Sequence, residues 1–185
     1  MRRHWFPKAY ADRVAKLRVP AGFVMVGAFA WFSHPTFKSL AIGLPLSACG
    51  LALRAWAAGH LAKDQRLAVS GPYAFTRNPL YLGTLLTALG LAAAARSLGL
   101  AILFTALFAA VYLPAIELEE QHLLEILPGY TAFAARVPLL LPRWPNGLGP
   151  DSFAAALYKK NREYQALMGW ELGVIWLVIR ALWLP

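Results

Sequence analysis

Ser70-Gly71-Pro72-Tyr73-Ala74-Phe75-Thr76-Arg77-Asn78-Pro79-Leu80-Tyr81-Leu82-Gly83 packs turn formers, aromatics and a cation together immediately before an apolar run. Gly71-Pro72 is a turn dipeptide. Pro79 fixes its own φ and biases Asn78 away from the helical region, so a helix can start at Pro79 and no earlier. Arg77 therefore stands beside a helix start. Backbone N–H groups left free there, together with a guanidinium, form a site for a carboxylate or phosphate at the mouth of an apolar helix.

The composition decides what that helix is embedded in. Hydrophobic residues make up 59% of the 185 residues, mean hydropathy is +0.50 and only 15% are charged, against about 25% in an ordinary soluble domain. The chain reads as an all-α, polytopic membrane protein forming a single domain, with the bilayer in place of a water-soluble core. Cys49, the single cysteine, excludes an intramolecular disulfide and reads as a small packing residue.

Outward from the signature, about five spans are expected. Residues 1–18 carry Arg2, Arg3, Lys8, Arg13, Lys16 and Arg18 among Trp5, Phe6 and Tyr10, a composition suited to the membrane interface. An apolar run from Val19 to Phe32 follows, read as an uncleaved anchor rather than a secretory signal. The second span runs from about Leu40 to Gly59, with Gly43, Ala48, Ala52, Ala55 and Gly59 available for close helix approach. Arg54 near its end can snorkel to the interface or turn inward. A third span from Pro79 to about Ala95 and a fourth from Leu98 to Ile116 form a hairpin around Arg96-Ser97. The stretch 143–167 contains a Pro- and Gly-rich linker, which begins at Leu139, and a basic helix from Phe153 to Leu167 capped by Asp151-Ser152. The last span is placed at 168–184.

At the end of span four Glu117, Glu119, Glu120 and Glu125 interleave with leucines. On a continuing helix Glu117, Glu120 and Leu124 share one face, and Glu119 and His122 another. The hairpin arms are nearly equal in length, which brings Arg77 and Glu120 out side by side.

These residues also carry a family resemblance. Gly71-Pro72-Tyr73, Arg77, Pro79, Tyr81 and Gly83 resemble the signature of the isoprenylcysteine carboxyl methyltransferase and phospholipid methyltransferase families, with Asn78 where a histidine is usual. Glu119-Glu120, Leu123-Leu124, Tyr130, Phe133 and Val137-Pro138 resemble a second block, so the likeness covers roughly residues 67–142. The resemblance implies S-adenosylmethionine as cofactor and a lipophilic acceptor arriving from the bilayer. It implies Arg77 and Glu120 as catalytic residues. Gly71, Tyr73, Arg77, Asn78, Pro79, Tyr81, Gly83, Glu119, Glu120 and His122 are implied as cofactor-binding. Glu120, His60 and His122 are candidate bases for an acceptor that must lose a proton. Sterol reductases have a similar Arg, Pro, Tyr segment, so a nicotinamide-dependent reductase is the competing enzyme class, and a non-catalytic membrane protein of the same fold is the third reading.

Of the 18 lysines and arginines, alternating spans leave Lys38, Arg96 and Arg180 on one side and 15 on the other. The positive-inside bias makes that second side, with the N-terminus and both motif blocks, cytoplasmic. The net charge of +9 is then accounted for by topology and anionic lipid, without nucleic acid. His4, His34, His60 and His122 lack metal-ligand spacing, and no Gly-rich dinucleotide motif follows a strand.

Overall fold

The computed structural model describes residues 5–63, 65–145 and 147–183, and among them every regular element is helical. Arg2, Arg3, His4 and Leu184, the last residue of the expected final span, lie outside the described residues. Helix α1 is Lys8–Phe32, α2 is Phe37–Ala58, α3 is Pro79–Ala94 and α4 is Leu98–Ile126; the short α5 is Tyr130–Ala134, α6 is Ala155–Lys160 and α7 is Tyr164–Trp183. Three of these, α2, α4 and α7, are long and apolar enough to cross a membrane. Pro20–Phe32 of α1 and Pro79–Ala94 are shorter apolar helices.

The basic stretch expected to lie apart from the first span is instead continuous with it: α1 begins at Lys8 and carries Pro20 inside it. Helix α4 continues past Ile116 to Ile126, as the reading of Glu117 to Leu124 on one continuing helix expects, with a π-helical segment at Phe108–Tyr112. Wider turns of this kind commonly mark functional sites.

The tightest packing is between α2 and α3, and its register is set by two matching stripes. Gly43, Ser47, Gly50 and Arg54 on α2 meet Gly83, Thr87, Gly90 and Ala94 on α3. A methyl group added at Gly43 would lie 2.2 Å from the Ala94 nitrogen, and one at Gly90 would lie 2.3 Å from the Ser47 nitrogen. The backbones thus touch with no side chain between them, the small-residue mode of membrane helix association. The expected stripe differs: Ala52 is exposed, and Gly59 packs against Phe153 rather than α3. Ala48 and Ala52 are four and eight residues after Leu44, which places them on a neighbouring face of the helix.

One end of the molecule gathers the α1–α2 turn, the α3–α4 turn and the end of α7. The His34 N–H donates to the Ala95 carbonyl at 2.9 Å, and Arg180 donates twice to the Ser33 carbonyl at 3.2 and 2.7 Å. Thr36 and Ser39 form a capping box at the start of α2. Helix α3 ends in a Schellman motif with Arg96 at φ 53°, its Ser97 N–H reaching the Ala92 carbonyl. The signature, the end of α4 and the connections 59–78 and 127–163 occupy the opposite end.

A second Schellman motif explains why the expected helix over 153–167 is broken. Arg162 adopts φ 54°, and the Glu163 N–H returns to the Tyr158 carbonyl at 3.4 Å. Helix α6 stops at Lys160 and α7 starts afresh at Tyr164. Asp151 does not cap α6, whose N-cap is Ala154 with no side-chain bond. It accepts instead from Ser70 Oγ at 3.0 Å and pairs with Arg66 at 3.1 Å.

Candidate functional site

The signature folds as a single turn of 3-10 helix, Gly71–Ala74, followed by residues 75–78 outside any regular element and by the Pro79 helix start. Gly71 is required there: its φ is +59°, and a Cβ would strike the ring of buried His60. The loop is held from outside by residues 138–143, which overlap the start of the stretch read as linker from Leu139. The Arg77 N–H donates to the Pro138 carbonyl at 2.9 Å, and the Arg143 N–H to the Phe75 carbonyl at 3.0 Å. Thr76 Oγ1 donates to the Leu140 carbonyl at 3.0 Å, and Asn78 Nδ2 to the Leu139 carbonyl at 3.0 Å. Asn78 thus orders the loop and binds this strap.

Arg77 Nη1 lies 2.6 Å from Glu120 Oε1, with the two side chains 14% and 19% exposed. The same carboxylate oxygen accepts from the Tyr130 hydroxyl at 2.9 Å. Burial first, and then the Glu120 carboxylate, hold the Tyr130 hydroxyl well above its ordinary pKa. Tyr130 therefore remains a donor at neutral pH. Tyr73 is shifted the same way by burial, with Glu119 and Glu163 adding to it. Arg77 Nε is buried with no hydrogen-bond partner among the described residues. A buried donor without an acceptor costs about 1–3 kcal/mol, which an arriving acceptor would offset.

Two adjoining clefts open at this end. The smaller is lined by Lys63, Tyr73, Arg77, Asn78, Pro79, Tyr81, Glu119 and Tyr130, among others. The larger has a volume of about 660 Å³ and adds Arg54, Thr84, Tyr112, His122, Asn161 and Glu163. Leu80, Tyr81 and Glu119 belong to both. The Tyr81 hydroxyl donates to Glu119 Oε2 at 2.9 Å, and its ring meets Tyr112 edge-on at 6.2 Å.

Of the residues singled out from sequence, Tyr73, Arg77, Asn78, Pro79, Tyr81 and Glu119 line the smaller cleft, with Glu120 bonded to Arg77 beside it. His122 lines the larger cleft. Gly83 faces away, its position occupied by the α2–α3 contact, where a Cβ would meet Arg54 Cγ at 2.6 Å and the Gly50 carbonyl at 2.7 Å. His60 supports Gly71 from below.

Sequence reading missed the far wall. Arg54 turns inward: its Nε lies 2.5 Å from Glu163 Oε1, and its Nη1 bonds the Thr84 hydroxyl. The two side chains are 23% and 8% exposed. Asn161 donates to the carbonyls of Ala58 and Leu61, both at 2.9 Å, tying this wall to the end of α2. A cation and an anion 109 residues apart leave no periodic signal. Only Arg54's place on the small-residue stripe points inward.

An all-helical chain with three helices able to cross a membrane and a charged two-part cleft at one end is an integral membrane protein built around a polar site. The phospholipid methyltransferase family matches residues 21–128, and the chain belongs to that family, a class of membrane methyltransferases. Over 115 residues it is 33% identical to the cobalt-zinc-cadmium resistance protein CzcN of Cupriavidus metallidurans, covering 61% of this chain and 52% of that one. Over 116 residues it is 32% identical to the nickel-cobalt-cadmium resistance protein NccN of Alcaligenes xylosoxydans xylosoxydans, covering 61% and 53%. The chain thus spans about half the length of these curated relatives. No solved structure matches it significantly.

Proposed function

We propose that this protein transfers a methyl group from S-adenosylmethionine to a lipophilic acceptor that reaches the larger cleft from the bilayer. The observation that carries the reading is the pairing of Arg77 with Glu120 beside a cleft lined by both charge signs, with a buried Arg77 Nε left over. When bound, S-adenosylmethionine supplies an electrophilic methyl group on a sulfonium. Arg77, held in place by Glu120, binds the cofactor's carboxylate; Glu119 binds its ammonium or ribose; Tyr73 and Tyr81 line the adenine or sulfonium side. Tyr130 donates to Glu120 and so fixes the acceptor oxygen that positions Arg77.

The larger cleft adjoins this one through Leu80, Tyr81 and Glu119, which supports its use for the acceptor. Such a shared wall lets two reactants be oriented in line while the surrounding side chains exclude water. Glu119 and His122 line this cleft, which supports either as the base that takes the proton an amine acceptor loses. The isoprenylcysteine-like carboxylate and the phospholipid-like amine remain the two acceptor classes. The end of the molecule carrying the site is cytoplasmic in this reading, as its excess of lysine and arginine supports.

The test is ligand-dependent thermal unfolding of the detergent-solubilised protein. S-adenosylhomocysteine is expected to raise Tm by mass action and NADPH to leave it unchanged. Stabilisation by NADPH alone transfers the chain to the reductase reading. Incubation with labelled S-adenosylmethionine and total membrane lipid then identifies the acceptor.

A further inference from the structure

Besides the two clefts described, the strap closes over a third, of about 400 Å³, in which Arg136, Arg143 and Trp144 sit with Val69, Phe133 and Pro138. Among the described residues no carboxylate lines it. That sets it apart from the sites of Arg54, Arg66 and Arg77, each paired with an acidic side chain. The guanidiniums are fixed from behind by carbonyls: Arg136 Nε donates to Ala132 at 3.2 Å, and Arg143 Nη2 to Arg136 at 3.0 Å. Backbone acceptors orient these cations without neutralising them. Trp144, which lines the cleft, is 86% exposed, and in the same connection Leu141 is 77% and Leu148 53% exposed, apolar surface that water does not favour. A bulky aromatic beside two arginines at the charged end of a membrane bundle is the composition of a headgroup-level contact.

We infer that Arg136 and Arg143 form a binding site for the phosphate of an anionic membrane lipid, with Trp144 and Leu141 seated among the adjoining acyl chains. The occupant is a lipid rather than a free anion because the exposed apolar rim gains nothing from phosphate alone. The site also touches the signature: Trp144 meets Phe75 edge-on at 5.7 Å, and the Arg143 N–H bonds the Phe75 carbonyl. Lipid bound here braces the strap that holds Thr76 and Asn78. The inference does not depend on methyl transfer.

The experiment titrates the purified full chain in a neutral detergent with dioctanoyl phosphatidylglycerol, dioctanoyl phosphatidylcholine or inorganic phosphate, reading Tm. Phosphatidylglycerol is expected to raise Tm, with the other two inert at equal concentration. In the Arg136→Gln, Arg143→Gln variant the half-maximal phosphatidylglycerol concentration should rise about thirtyfold, from ~1 kcal/mol per basic residue at an anionic surface. The Arg136→Lys, Arg143→Lys variant should keep most of the response. Trp144→Ser tests the rim: it loses the edge-on contact with Phe75, which lowers the lipid-free Tm modestly, and should also raise the half-maximal phosphatidylglycerol concentration read against each variant's own lipid-free Tm. An equal rise with inorganic phosphate, an undiminished response in the glutamine variant, or an undiminished response in Trp144→Ser would each overturn the assignment.

Discussion

If Arg77 holds the cofactor's carboxylate, Arg77→Ala removes one charge-assisted hydrogen bond, on the order of 1.5–3 kcal/mol, a rise of roughly 10- to 150-fold in Kd for S-adenosylhomocysteine. Glu120 is not among the residues lining either cleft; it touches Arg77 at 2.6 Å and Tyr130 at 2.9 Å. Its substitution therefore acts through Arg77, and two effects oppose each other. Loss of the counter-ion strengthens the attraction of Arg77 for an incoming carboxylate, while loss of the anchor frees a side chain carrying up to about 2 kcal/mol of rotamer entropy. In a half-wet cleft, where the effective dielectric is high, the lost anchor outweighs the gained attraction. Glu120→Ala is expected to cost about 1–2 kcal/mol, less than Arg77→Ala. The double variant should cost no more than Arg77→Ala alone, so the coupling energy equals nearly the whole effect of Glu120. Titration calorimetry on the two single variants and the double variant measures this directly. Additive losses, or an unchanged affinity in well-folded Arg77→Ala, would refute the reasoning.

Gly90→Ala gains about 1 kcal/mol of helix propensity but places a methyl group 2.3 Å from the Ser47 nitrogen; overpacking against backbone costs about 1–3 kcal/mol, so thermal unfolding should show a net loss. Glu163→Ala leaves Arg54 without the carboxylate 2.5 Å away; allowing for Arg54's partial exposure, the stability lost is about 2 kcal/mol, with acceptor KM raised and a smaller loss of S-adenosylhomocysteine affinity transmitted through Tyr81. Tyr73 and Tyr130 keep their protons in the folded state above the ordinary value of 10.0, where the unfolded chain loses them. Stability should accordingly fall as pH rises past 10, by about 1.4 kcal/mol per pH unit for each residue, and the Tyr73→Phe, Tyr130→Phe variant should flatten that slope in alkaline denaturation. A reporter fused after Pro150 should be cytoplasmic and one fused after Pro185 external; the same side for both would make α7 interfacial.

What was legible in the sequence is what local punctuation writes down. Gly71-Pro72 and Asn78-Pro79 mark the turn and helix start, and both lie where expected. Arg96-Ser97 marks the hairpin, and equal arms suffice to bring Arg77 to Glu120. The stripe between α2 and α3 was half legible. Alanine is so common in α2 that only the seven-residue spacing shared by Gly43–Gly50 and Gly83–Gly90 separates the contact face from its neighbours. The strap was illegible because its bonds to Thr76, Arg77 and Asn78 are made by its own carbonyls, which any sequence supplies. Proline and glycine forbid a helix there without saying that the segment is structural. Asp151 was misread for a related reason: an acidic residue just before a helix usually caps it, and here Ser70 and Arg66 bind it instead.

Both clefts take part of their wall from beyond the stretch shared with the family. Residues 21–128, shared with the family, contain Arg77, Tyr81, Glu119 and Glu120, the groups assigned above to the cofactor. Tyr130, the strap carbonyls of Pro138, Leu139 and Leu140, Asn161 and Glu163 all lie beyond that stretch. They buttress the signature or wall the larger cleft. Glu163 is held by Arg54, itself anchored to Thr84 and the Leu80 carbonyl, so the outer wall is bolted to the first turns of α3, the same helix that carries Tyr81. Displacing α7 therefore shifts Tyr81 and, through its hydroxyl, Glu119. On the proposed assignment, a change in the acceptor wall is felt at the cofactor side by way of Tyr81, which lines both clefts, although most of their lining comes from the stretch common to the family and only Tyr130, Phe133, Asn161 and Glu163 lie beyond it.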